Sequence, residues 1–191
     1  MAKILKVEIE GVTPLLMHDA KLADPLDEVT QELSRLTTLA KRAKTDAAHM
    51  AVAECEWRGG LYVNDDEQPI IPGTNTEAML IVAGKRQRKG GDFKAGISVD
   101  DALVKYDGPK SIDALWADKN FRLRKPVRVG NARVIRTRPR FPKWSLSLVV
   151  SYQESIINQR TIVEALETSG NLIGLGDWRP KYGRFVVKKV A

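Results

Sequence analysis

Cysteine is nearly absent from this sequence: Cys55 stands alone in 191 residues, so no intramolecular disulfide can form. Histidine is almost as scarce. With two histidines, His18 and His49, and one cysteine far apart, a structural zinc site is not expected, and neither is another metal or cofactor. No apolar run approaches the ~20 residues that cross a bilayer. The opening Met1-Ala2-Lys3-Ile4-Leu5-Lys6 lacks the apolar segment of a secretory signal and alternates like a strand. No Gly-Lys-Ser or Gly-Lys-Thr follows a strand, which excludes a phosphate-binding P-loop. These absences predict a cytoplasmic protein with no membrane partner.

Acid is missing from one long stretch. Between Lys119 and Gln153 there is no aspartate or glutamate, while ten basic residues occur: Lys119, Arg122, Arg124, Lys125, Arg128, Arg133, Arg136, Arg138, Arg140 and Lys143. Lys85, Arg86, Arg88 and Lys89 form a second cluster ahead of Gly90-Gly91 and Lys94. The acids gather instead in 24–32, 65–67 and 100–118, although the whole chain carries a net charge of +7. Segregation of this kind is the electrostatic footprint of a phosphate-binding face.

What is present reads as a succession of short elements. Leu5, Val7 and Ile9 alternate with Lys6, Glu8 and Glu10, as in a half-buried strand. Asp24-Pro25 carries the signature of a helix start, with Leu26, Val29, Leu33 and Leu36 as an apolar stripe. A second helix is expected from Thr45 or Asp46 towards Trp57, making 24–58 a helical-hairpin insertion. Leu61-Tyr62-Val63 reads as a short strand, and Thr74 and Glu77 have capping-box spacing before another helix. A mobile basic loop is expected over 84–94, within a loop-rich insertion spanning 84–118.

Further on, Leu123, Val127 and Val129 alternate with Arg122, Arg124 and Arg128, and Gly130-Asn131 marks a hairpin turn into an arginine-bearing partner strand at 132–138. Trp144, Leu146, Leu148, Val150 and Tyr152 predict another strand. Asn158 is placed to cap a helix ending at Gly170, and a last strand runs over 184–190. With the helical insertion and the extra β-hairpin set aside, the order is βαββαβ. A single α+β domain over 1–191, with the ferredoxin-like topology shared by RRM domains, is therefore expected.

The segment Gly174 to Phe185 joins glycines to Trp178, Arg179, Lys181, Tyr182 and Arg184. Glycines let a backbone approach a phosphodiester, the cations supply charge, and the aromatics can stack on bases. An ordinary tight turn with core-packed aromatics remains the alternative. Phe121 and Trp144 are expected to be core residues despite their basic neighbours. Arg136, Arg138 and Arg140 share one strand parity, and burying all three unpaired would be prohibitively costly, so some must face solvent or phosphate.

Three segments together resemble the RAMP superfamily, the RRM-derived proteins that form the crRNA-binding backbone of CRISPR effector complexes. They are the first strand with Gly11-Val12-Thr13-Pro14-Leu15-Leu16, the helix entry Pro69-Ile70-Ile71-Pro72-Gly73-Thr74, and the loop Gly174 to Phe185. Asp177-Trp178 departs from the small and basic residues usual in that loop. A stand-alone relative from a mobile element or bacteriophage fits the resemblance as well as a CRISPR component does. The resemblance implies binding of single-stranded RNA or DNA and head-to-tail assembly into a homo-oligomer or filament.

The expected phosphate and base contacts are Lys85, Arg86, Arg88, Lys89, Arg122, Arg124, Arg128, Arg133, Arg136, Arg138, Arg140, Trp178, Arg179, Lys181, Tyr182 and Arg184. No catalytic residue is expected. Should there be RNA cleavage, as in some relatives, His18 beside Asp19 is the candidate acid–base pair. A protein-interaction module using the 24–58 hairpin is the remaining reading.

Overall fold

The computed structural model describes residues 2–191. In chain order its strands are β1 (Ala2–Gly11), β2 (Leu15–Leu16), β3 (Ile70–Ile71), β4 (Ile97–Val99), β5 (Ala102–Leu103), β6 (Arg122–Val129), β7 (Ala132–Phe141), β8 (Ser145–Gln153) and β9 (Phe185–Val190). The helices are α1 (Glu28–Ala43), α2 (Asp46–Gly60), α3 (Gly73–Arg86), α4 (Gly90–Gly96), α5 (Ile112–Ala117) and α6 (Gln159–Thr168). The chain divides into two compact units. One comprises the residues up to Leu16 with Val63–Asp107 and Pro142–Ala191, and the other comprises Met17–Tyr62 and Gly108–Phe141.

The first unit is built on a four-stranded antiparallel sheet in the order β4-β8-β1-β9. Alternation dictates its two faces. Leu5, Val7 and Ile9 of β1 and Leu146, Leu148 and Val150 of β8 are buried against the helical layer. Met79, Leu80 and Ala83 of α3 and Ile162, Ala165 and Leu166 of α6 supply the other half of that core. Chain order β1-α3-β4-β8-α6-β9, with β1 and β8 central, is the βαββαβ arrangement of an α+β, RRM-like fold.

Several local readings need correction here. The second core strand is β4, inside 84–118, a stretch that carries α4, β4, β5 and α5 rather than mainly loop. α3 runs on to Arg86 and α4 follows at Gly90, because Phe93 is fully buried and its ring sits where a side chain at Gly84 would be. Leu61-Tyr62-Val63 forms no strand beyond a single bridge from Val63 to Pro69, whereas Ile70 and Ile71 pair with Leu103 and Ala102. The capping box is not made. The Gly73 N–H donates to Asp101 Oδ1 at 2.8 Å, and Glu77 Oε1 accepts from the Val99 N–H at 2.8 Å. Tertiary neighbours thus take over the duty that sequence spacing assigned to Thr74. Asn158 does cap α6, accepting from the Thr161 N–H at 2.9 Å. Gly170 does not stop that helix. A π-helical turn, Ser169–Ile173, prolongs it to Gly174 and brings the Gly170 backbone against the Phe185 carbonyl.

In the second unit α1 and α2 form a helical hairpin. α1 starts at Glu28, later than Asp24-Pro25 suggested, since Asp27 accepts from the Val29 and Thr30 N–H groups while Asp24 closes a preceding 3-10 turn. Leu26 consequently stays outside the helix and 81% exposed. Trp57, Leu115, Phe121 and Phe141 are buried, with Trp57 Nε1 donating to the Phe121 carbonyl at 2.9 Å. β6 and β7 pair through the Gly130-Asn131 turn in continuous register from Arg122↔Pro139 to Val129↔Ala132. Residues 132–135 and 124–126 are exposed, so the expected apolar side of the strand is only partly covered.

Candidate nucleic-acid interface

The glycine-rich loop owes its shape to backbone packing. A Cβ at Gly183 would collide with the Leu175 carbonyl oxygen, and Gly183 adopts φ +72°. A Cβ at Gly176, at φ +80°, would collide with the Leu16 carbonyl. Hydrogen bonds fix this approach: Asp177 N–H to Leu16 O at 2.8 Å, Gly183 N–H to Pro14 O at 2.9 Å and Arg184 N–H to Thr13 Oγ1 at 2.9 Å. Two of the three family-like segments, the one after β1 and the glycine-rich loop, are therefore one structural element. Trp144 completes it, buried against Phe185 with Nε1 donating to the Thr13 carbonyl at 2.8 Å.

Between this loop and the end of α3 lies a cleft of about 590 Å³, lined by Val82, Arg86, Leu172, Ile173 and Gly176 through Pro180. It is a shallow hollow open to solvent rather than an enclosed pocket. Trp178 is half-buried at φ +52°, a conformation costly for a residue with a Cβ, and its ring lies 6.0 Å from that of Tyr182. Arg179, Lys181 and Arg184 are exposed, with Arg184 Nε held by the Pro180 carbonyl at 3.0 Å. Arg86 is brought to the cleft, whereas Lys85, Arg88 and Lys89 are exposed but do not line it. Lys89 Nζ reaches Thr161 Oγ1 at 3.2 Å.

The open face of the sheet is of another kind. Ile4, Lys6, Glu8 and Glu10 of β1 and Ser145, Ser147, Val149 and Ser151 of β8 fill its centre, and none is aromatic. RRM domains stack bases on aromatics at these central strands. That platform is absent from β1 and β8.

In the second unit the arginines divide by strand register. Arg124, Lys125, Arg128 and Arg133 are exposed on the β6–β7 hairpin, with Arg128 directly opposite Arg133. Arg122 lies over the Trp116 ring, 4.4 Å from its centroid. Arg136 and Arg138 point to a buried acid that sequence reasoning missed. Glu56, 4% exposed, accepts from Arg136 and Arg138 at 3.1 and 3.2 Å and from the Thr137 N–H at 2.8 Å. Arg138 is accordingly 7% exposed, and Arg140 is half-buried. Arg136 and Arg140 thus keep part of their surface exposed, as expected of at least some of the three, while Arg138 is buried because α2 supplies its counter-charge; among the described residues Glu56 does not reach Arg140, whose Nε is buried without a hydrogen bond. Nothing in the spacing of Glu56 on α2 signals this.

His18 and Asp19, the candidate acid–base pair, lie ahead of α1 in the second unit. Asp19 accepts from the Lys21 N–H at 3.0 Å and pairs with Lys21 Nζ at 3.4 Å, while the His18 carbonyl accepts from Tyr62 Oη. Burial pushes the Cys55 thiol up, as suits a packed rather than a nucleophilic cysteine. Among the described residues no group of three or more histidine, cysteine or acidic side chains could hold a metal ion.

No protein-family model matches the sequence, and no curated protein matches it. A solved structure does. The chain aligns over its full length with 60% of a chain in the cryo-EM structure of the type III-B Cmr-beta bound to cognate target RNA, with a TM-score of 0.61 and 12% identity. The likeness is one of fold. This chain spans about 60% of the length of its neighbour.

Proposed function

We propose that the protein binds single-stranded nucleic acid, RNA in the first place, as a RAMP-like protein without catalytic chemistry. The observation that carries this is the cleft in which Trp178, Arg179 and Arg86 meet beside a glycine-built backbone. An indole stacks on a base regardless of sequence, and flanking guanidinium groups neutralise phosphates. Central strands β1 and β8 carry no aromatic on the open sheet face, where Tyr106 stands alongside them, and this favours the cleft over an RRM-type platform. The neighbouring fold belongs to an assembly bound to RNA, which favours RNA over DNA. In the second unit Arg124, Lys125, Arg128 and Arg133 add a further basic surface, and assembly along the strand follows from the family resemblance. The second unit is then an elaboration of one RRM-like domain.

Fluorescence anisotropy against matched single-stranded RNA, single-stranded DNA and duplex DNA across a salt series tests this. Preference for a single strand, with a slope near −0.7 per phosphate contacted, supports it. Equal weak binding to all three rejects it. A groove on α1 and α2, lined by Val29, Leu36, Ala51 and Cys55 with Glu28, Glu32, Glu54 and Arg58, would then take precedence as a docking surface for a partner protein.

A further inference from the structure

Leu26 is the most exposed large apolar side chain among the described residues, at 81%, yet the turn that carries it is held in place. Asp24 Oδ1 accepts from the Leu26 N–H at 2.9 Å, the Asp24 carbonyl accepts from the Asp27 N–H at 3.3 Å, and Gln31 Nε2 donates to the Pro25 carbonyl at 3.3 Å. Asp24 and Glu28 flank it as exposed acids. This turn precedes α1. Where α1 ends, residues of α1, α2 and the β6–β7 ladder line a cleft of about 270 Å³. Val52, Val134 and Ile135 give it apolar surface, and Val134 and Ile135 remain 37% and 52% exposed. Lys41, Arg124 and Arg133 give it charge, and among the described residues none of the three has a side-chain hydrogen bond or ion pair. Glu56 also lines the cleft, but its carboxylate is taken up by Arg136, Arg138 and the Thr137 N–H. Among the described residues no phenylalanine, tyrosine or tryptophan lines it for a base to stack on. An aliphatic side chain with acidic neighbours is the complement of such a cleft.

We infer that the Leu26 turn of one copy of this chain docks in this cleft of a second copy, Leu26 meeting Val134 and Ile135 while Asp24 and Glu28 meet the three cations. Both surfaces belong to the second unit. About 20 Å of helix separates Glu28 from Lys41, so a copy cannot seat its own turn in its own cleft. Arg133 faces Arg128 across the ladder, and the acids of an incoming turn offset that repulsion. Because turn and cleft are different surfaces, the contact is heterologous, and each copy in a pair keeps one of them free for the next. Nucleic acid takes no part in the contact, so the inference goes beyond the binding reading above and is decided without it.

Sedimentation velocity on nuclease-treated protein at low salt tests this. Wild type is expected to assemble beyond the monomer as concentration rises, and to return to monomer as salt screens the acids from the cations. Leu26→Lys sets a cation against the cleft, and Ile135→Lys sets one within its apolar lining. Each weakens self-association at least about tenfold, as an unpaired charge against apolar surface does. Mixed in equal amounts, the two variants form a species of two chains and nothing larger, since the first supplies an intact cleft and the second an intact turn. Wild type that stays monomeric overturns the inference, and so does assembly of either variant at the wild-type level. A mixture that stays monomeric overturns it as well, because variants that damage one self-complementary face cannot rescue each other. Circular dichroism checks that both variants fold; should Ile135→Lys fail to, Val134→Lys takes its place in the same mixture.

Discussion

Replacing Glu56 with alanine removes the carboxylate shared by Arg136, Arg138 and the Thr137 N–H. Breaking a buried ion pair from one side costs about 3–5 kcal/mol, because the partner charge stays desolvated. A urea titration of Glu56→Ala is expected to show a loss on that scale; a loss below about 1 kcal/mol would mean the arginines find water instead. Trp178→Ala acts differently. It gives up base stacking, about 1–3 kcal/mol, while alanine, which keeps a Cβ, leaves the cost of φ +52° in place, so affinity for single strands falls on that scale in an anisotropy titration and unchanged affinity would remove Trp178 from the interface. Cys55 offers a check on burial. Its thiol is pushed up by desolvation, which disfavours the thiolate in the folded protein, so iodoacetamide labelling at mildly alkaline pH should be slower in native protein than in urea. Equal rates would place the thiol in open solvent. Of these residues only Trp178 announced itself in the sequence, through its glycine and arginine neighbours. Glu56 and Cys55 take their roles from what packs over them.

At the scale of elements, the β6–β7 hairpin sets stability against binding. Arg128 faces Arg133 and Lys125 faces Arg136 across the ladder, and like charges directly opposite destabilise a strand pair. Arg133→Glu turns the first pair into an attractive one, expected to raise stability by about 0.2–1 kcal/mol. The same change removes a basic group from the proposed binding surface. Higher melting temperature with weaker, less salt-dependent RNA binding is the expected pattern, and unchanged affinity would release the hairpin from any ligand role. The hairpin itself was legible, since Gly130-Asn131 between alternating segments specifies turn and register locally. Helix starts were legible only where the cap is local. Asn158 caps α6 as its position suggested, whereas the first N–H of α3 is satisfied by Asp101 from across the fold. β4 escaped notice because three residues carry too little alternation to register.

For the whole molecule the expectation concerns charge. With +7 spread over separate basic clusters, affinity for single-stranded RNA should fall steeply with salt, and Arg179→Glu should weaken binding to all sequences and flatten that dependence. A salt slope unaltered by Arg179→Glu would remove the loop from the interface. Local sequence determined much of this protein by itself: strand faces from alternation, the hairpin from its turn, the α6 cap, and a basic surface from segregated charge. Those properties depend on residues a few positions apart. Tertiary structure decided which arginines are consumed by a buried acid, why Gly176 and Gly183 must lack side chains, and that Trp178, Asp177 and Arg86 share one cleft. Each of these depends on backbone segments remote in sequence coming within hydrogen-bonding or van der Waals distance, and no local pattern encodes that approach.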